Sequence, residues 1–82
     1  MTRLLVPPPA IDVTLDHGGA PIAIDGALTG SIEPIARWKV DGSWWDRPVS
    51  REYWKVVVNN AVLCELYHDL GSKEWFVEKI YD

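Results

Sequence analysis

The 82-residue chain has a single cysteine, no glutamine, no aromatic residue before position 38 and no excess of basic charge. Each shortage removes a class of protein. Cys64 alone cannot close an internal disulfide, so the staple of small secreted domains is missing and a reducing compartment is expected. Eight Lys and Arg stand against twelve Asp and Glu, for a net charge of −4. That balance provides no basic stripe to neutralise a run of phosphates, the interaction that dominates non-specific nucleic-acid affinity. Apolar runs such as Val56-Val57-Val58 fall far short of the roughly 20 residues needed to span a bilayer. The opening Met1-Thr2-Arg3-Leu4-Leu5-Val6 is interrupted by Pro7-Pro8-Pro9 and does not continue into a signal-peptide core. A cytoplasmic protein without a membrane segment is the expectation.

What is present is buriable surface. The chain is 48% hydrophobic and has five tryptophans. All of its aromatics (Trp38, Trp44, Trp45, Tyr53, Trp54, Tyr67, Trp75, Phe76, Tyr81) lie after residue 37. A chain this short buries only about 60% of its unfolded surface, enough for one core. Pro7-Pro8-Pro9 favours polyproline II and donates no backbone hydrogen bonds, so residues 1–9 read as a tail and residues 10–82 as a single domain.

Ile11, Val13 and Leu15 alternate with Asp12, Thr14 and Asp16, the period of a half-buried strand. His17-Gly18-Gly19-Ala20-Pro21 supplies a turn and Ile22-Ala23-Ile24 a short return strand. Ile35 to Val40 is a third strand closed by Asp41-Gly42, and Ser43 to Ser50, without a clear period, reads as an ordered loop pinned by its tryptophans. Arg51–Val58, Ala61–His68 and Glu74–Tyr81 form a C-terminal three-strand meander, its first turn at Asn59-Asn60, residues that tolerate positive φ. No stretch sustains helical spacing. The expected class is all-β, a small antiparallel, partly open barrel or strongly coiled sheet of five to six strands.

If Asn59-Asn60 is a two-residue turn, Val58 faces Ala61, Val56 faces Leu63, Trp54 faces Glu65 and Glu52 faces Tyr67. With His68 opposite Glu74, Trp75 and Lys79 join that side. Tyr53, Val57, Val62, Cys64, Leu66, Phe76 and Ile80 then form the core side. Glu52, Trp54, Glu65, Tyr67, Trp75 and Lys79 become a partly exposed face of aromatics among charges, the composition of a protein-binding patch.

Little chemistry is legible. His68 and Asp69 are strand neighbours and point to opposite faces, His17 sits in a glycine turn, and Cys64 reads as a buried thiol. Two histidines and one cysteine on separate elements lack zinc-ligand spacing, and His17-Gly18-Gly19 is followed by neither a helix nor the Lys of a P-loop. Asp41, Asp46 and Glu52 surround the tryptophan loop without convergent spacing and read as solvated charges. No catalytic, metal or cofactor residue is expected, and the chain does not read as an enzyme.

The run Arg37-Trp38-Lys39-Val40-Asp41-Gly42-Ser43-Trp44-Trp45-Asp46-Arg47-Pro48-Val49-Ser50-Arg51-Glu52-Tyr53-Trp54, followed by Glu65-Leu66-Tyr67-His68-Asp69-Leu70 and Glu74 to Asp82, resembles a known small domain. That domain occurs alone, or at the C-terminal end of ImuB-type, Y-family polymerase-like subunits, in bacterial damage-induced mutagenesis cassettes. Trp38, Trp44, Trp45, Arg47 and Pro48 carry the motif; residues 1–36 match it only loosely. The resemblance implies a non-catalytic accessory of translesion DNA synthesis that meets polymerase-like or RecA-like cassette subunits. The polymerase region itself is absent, and without glutamine the chain has no Gln-led peptide for the sliding clamp. The alternatives are a single-stranded nucleic-acid binder that stacks bases on its tryptophans, disfavoured by the charge, and a small-molecule-binding or enzymatic domain. An exposed edge strand leaves homodimerisation open.

Overall fold

Period-two alternation early in the chain and the β-branched and aromatic runs after residue 30 become seven strands: β1 (Thr2–Leu4), β2 (Ala10–Leu15), β3 (Pro21–Asp25), β4 (Gly30–Trp44), β5 (Arg47–Val58), β6 (Val62–Asp69) and β7 (Glu74–Tyr81). The computed structural model describes residues 2–44 and 47–81, without the side chains of residues 43–48. No helix occurs among the described residues. The strands β7-β2-β3-β4-β5-β6 pair antiparallel in that order and β6 pairs back to β7, closing a six-strand barrel to which β1 is added. Closure gives each of these six strands a neighbour on both sides over part of its length, although β3 accompanies β4 only at Gly30 and Ser31. The barrel and its C-terminal meander are as expected, with closure complete rather than partial.

The first nine residues are more than a tail. Thr2, Arg3 and Leu4 pair with Tyr81, Ile80 and Lys79, and Ala10 and Ile11 pair with Phe76 and Trp75. β6 occupies the opposite edge of β7, so β1 and β2 lie end to end along one edge. Between them the Leu5 amide donates to the Glu78 carbonyl at 2.9 Å and the Val77 amide to the Pro9 carbonyl at 3.1 Å. Proline cannot donate, but its carbonyl still accepts, so the triple proline does not prevent docking on an edge. The side chains of Thr2, Arg3 and Leu4 remain exposed.

Asp41-Gly42 does not turn the chain. β4 runs through it, paired with β5 from Ile32↔Val58 to Trp44↔Arg47, and Asp41 accepts a hydrogen bond from the Ser50 hydroxyl across the ladder at 2.7 Å. An aspartate held across strands is not available to cap a turn. Ser43, Trp44 and Arg47 to Ser50 therefore belong to the ladder and not to a loop, while Trp45 and Asp46 lie outside the described residues. The register shifts once, at Pro34/Ala36, leaving Ile35 as the extra residue of a bulge.

Asn59 and Asn60 have φ of 52° and 58°, the left-handed conformation expected of them. The connection nevertheless includes Ala61, whose amide donates to the Val58 carbonyl, and Val58 pairs with Val62. That one extra residue inverts β5 against β6: Trp54 faces Leu66, Val56 faces Cys64 and Glu52 faces His68. The core is accordingly Ile11, Ile24, Ile32, Trp54, Val56, Val58, Cys64, Leu66, Val77 and Ile80. Cys64, Leu66 and Ile80 lie where the alternation put them; Tyr53, Val57 and Phe76 do not. At the second turn His68 pairs with Trp75 rather than Glu74, and a bulge at Glu65/Leu66 brings Lys79 opposite Glu65.

Candidate interaction surface

With Trp54, Leu66 and Val77 turned inward, their strand neighbours Tyr53, Tyr67 and Phe76 lie on the opposite face, where Tyr53 and Phe76 are half-buried and Tyr67, covered by Arg51, is only 5% exposed. The registers Trp38↔Tyr53, Tyr53↔Tyr67 and Tyr67↔Phe76 align four aromatic rings across β4, β5, β6 and β7. Trp38 and Tyr53 are stacked at 5.5 Å with 4° between planes, Tyr53 and Tyr67 are tilted at 5.5 Å, and Tyr67 and Phe76 stack at 5.0 Å. Cross-strand ring pairs of this kind contribute about 0.5–1.5 kcal/mol each beyond the area they bury.

Charged groups border the row. The Arg51 guanidinium carbon lies 4.5 Å from the Tyr67 ring centre, and its Nη1 donates to the Tyr53 hydroxyl at 3.5 Å. The Tyr53 hydroxyl donates in turn to Glu78 Oε2 at 3.3 Å. The hydrogen bond to Tyr53 holds the Arg51 pKa above its ordinary value, and burial raises that of the Tyr67 phenol. One register position along, Glu65 lies between Lys55 and Lys79, with Lys79 Nζ 3.8 Å from Oε2. The Tyr81 hydroxyl also donates to the Glu65 carboxylate, which raises the Tyr81 pKa. Lys55 Nζ sits 5.1 Å over the Tyr81 ring. These partners explain how Glu65 is only 6% exposed without being an uncompensated charge.

The six residues expected to form one binding face are divided between the two sides of the sheet. Glu65, Tyr67 and Lys79 lie on the outer face. Glu52, Trp54 and Trp75 lie on the inward-facing side with Arg37 and His68. There the Trp54 indole N–H donates to Glu52 Oε1 at 3.0 Å, Arg37 covers the Trp54 ring at 5.4 Å, and His68 stacks on Trp75 at 4.4 Å. Trp54 is core, 6% exposed. Of the motif residues, Trp38 reaches the outer face and is 39% exposed; Trp45 and the side chains of Trp44, Arg47 and Pro48 lie outside the described residues. Arg51, Tyr53 and Phe76 were missed as surface residues because only the register distinguishes their face from the core.

Among the described residues the chemistry-bearing side chains lie apart from one another. The Cys64 thiol is buried, and burial pushes its pKa up to about 11. His17 lies in the turn that Asp16 organises by accepting the Gly18 and Ala20 amides, far in sequence from His68, whose ring is taken up by Trp75. No three His, Cys, Asp or Glu among the described residues converge as a metal site. A cleft of about 530 Å³ is lined by Asp12, Asp25, Lys73, Glu74 and Trp75, none of them a nucleophile beside a base. No helix among the described residues is long and apolar enough to cross a membrane. No family model, curated protein or solved structure matches the chain.

Proposed function

We propose that this domain is a non-catalytic protein-interaction module, with the outer aromatic row and its charged border as the contact surface. The row carries the reading: exposed Trp38 and half-buried Tyr53 and Phe76, in register on their strands around the buried Tyr67 and bordered by Arg51, Lys55 and Lys79, place rigid aromatics beside charge on a β-scaffold. Trp, Tyr and Arg are the residues in which binding energy concentrates at protein interfaces. The cellular setting, a cytoplasmic accessory of damage-induced translesion synthesis meeting polymerase-like or RecA-like subunits, is supported only by the resemblance of residues 37–54 and 65–82. Base stacking on a single strand has less support. The ring faces lie against one another at 5.0–5.5 Å, which leaves few of them for bases, and the net charge is −4.

Capture of purified polymerase-like and RecA-like cassette proteins by the immobilised domain tests this. Trp38→Ala, at an exposed position, should leave the fold intact and reduce capture by about tenfold or more. Unchanged capture by the folded variant would remove the row as the site. Quenching of tryptophan fluorescence by an oligonucleotide at low salt, with no protein captured, would transfer the reading to nucleic acid.

A further inference from the structure

We propose that the free edge of β4 pairs two copies of this chain, antiparallel, about a two-fold axis through Val40. This goes beyond partner binding by the aromatic row and does not depend on it. β3 accompanies β4 only at Gly30 and Ser31, whereas β5 accompanies it to Trp44. From Ile32 to Trp44 the second edge of β4 therefore has no strand beside it among the described residues. β6 ends its pairing with β5 at Arg51↔Asp69, so beyond that point β4 and β5 project as a two-stranded ribbon. Unpaired N–H and C=O groups along a long edge are a template for another strand, and a two-stranded ribbon is marginally stable in water. Pro34 and the bulge at Ile35 blunt the start of this edge, but beyond them Trp38 and Val40, 39% and 43% exposed, follow one another on the outer face.

The charges select both the occupant and the register. Arg37, Lys39 and Asp41 alternate with Trp38 and Val40, and Lys39 Nζ lies 3.6 Å from Asp41 with both side chains more than half exposed. In an antiparallel self-pair, centring on Arg37, Lys39 or Asp41 sets that charge against its own copy, and centring on Trp38 sets Arg37 against Lys39. Centres nearer the N-terminus run into the bulge and Pro34, which has no N–H to donate. Centring on Val40 opposes Lys39 to Asp41 of the second copy twice and sets no like charges opposite. It also lays Trp38 against Gly42, where a side chain would meet nothing within 4 Å. An aromatic across from a strand glycine is a recognised stabilising pair. Residues opposite in such a pair share a face, so the two aromatic rows would lie on one continuous surface.

Sedimentation velocity on the intact chain at about 1 to about 300 µM brackets the weak association expected of a short strand pair. A concentration-dependent dimer is expected. Lys39→Asp and Asp41→Lys should each weaken it by about tenfold or more, and an equimolar mixture of the two should restore it, since every opposed pair is again of unlike sign. Val40→Cys, self-opposed at the axis, should cross-link on mild oxidation, whereas Trp38→Cys, opposite Gly42, should not. A wild-type chain monomeric throughout, charge variants that dimerise normally, a mixture that fails to recover, or faster cross-linking by Trp38→Cys would each overturn the proposal. Lys39 and Asp41 lie on the face away from the aromatic row, so loss of the dimer and loss of partner capture are separable results.

Discussion

Replacing Trp54 by alanine measures the register of the barrel directly. The side chain is 6% exposed, faces Leu66, donates to Glu52 and is covered by Arg37. A tryptophan buries ~150–250 Å², which at ~25 cal/mol/Å² corresponds to about 4–6 kcal/mol of transfer free energy. That figure is an upper bound because the unfolded chain already hides some of this area. Measured Trp→Ala changes in cores cost about 3–5 kcal/mol once the cavity is included. Domains have ~0.05–0.15 kcal/mol of stability per residue, so this one has on the order of 4–12 kcal/mol in all. Trp54→Ala should therefore remove on the order of half of it, against about 1–2 kcal/mol for Tyr53→Ala, which loses ring pairs on the outer face. Urea unfolding followed by far-UV circular dichroism, compared at equal m-value, reads both. If Tyr53→Ala proved the more destabilising and Trp54→Ala cost under about 1 kcal/mol, the inversion of β5 against β6 described above would be refuted.

Gly30 has φ of 151°, and a Cβ there would collide with the Asn59 side chain, so Gly30→Ala should cost about 2 kcal/mol or more in the same urea assay. Asn59 also holds β4 by accepting the Ser31 amide and donating to the Thr29 carbonyl, whereas no such bond engages Asn60 among those described; Asn59→Ala should exceed Asn60→Ala by about 1 kcal/mol in chemical denaturation. The Cys64 thiol titrates near 9 when unfolded and about 11 when folded, so the folded state keeps its proton longer. Its contribution is constant below pH 9 and is lost as pH rises from 9 to 11, by up to about 3 kcal/mol. The raised Tyr67 phenol acts in the same direction, and Cys64→Ala should flatten the alkaline limb of stability against pH.

The strand content was legible because alternation and β-branched runs report directly on a pleated, half-buried backbone. The phase was not. Asn59-Asn60 advertises a turn, but nothing in the residues says that Ala61 joins it, and one residue exchanges the roles of Tyr53 and Trp54. The same slip explains why Glu65 and Tyr67 were grouped with Glu52 and Trp54 although the sheet separates them, while the second turn's register and the bulge at Glu65/Leu66 part Lys79 from Trp75. Asp41-Gly42 misled for a different reason: turn chemistry is a local preference, and the ladder with β5, with Ser50 bound to Asp41, overrides it. Arg51 gave no signal because its role over Tyr67 depends on a neighbour sixteen positions away in sequence.

The pairing of Thr2 with Tyr81 has a consequence for synthesis and for joining to other chains. As the chain emerges in order, β2 waits for β7, the last strand to be made, before its partner at Trp75 and Phe76 exists. Barrel closure is thus the terminal event of assembly, and truncation before Glu74 would leave β1 without a partner and would open one edge each of β2 and β6, which keep β3 and β5 on the other side. Whatever precedes Thr2 or follows Tyr81 enters and leaves at a single point on the surface. A unit wired in this way can be carried as an appendage on a longer polypeptide, or spliced into a loop of one, with neither host nor guest having to stretch.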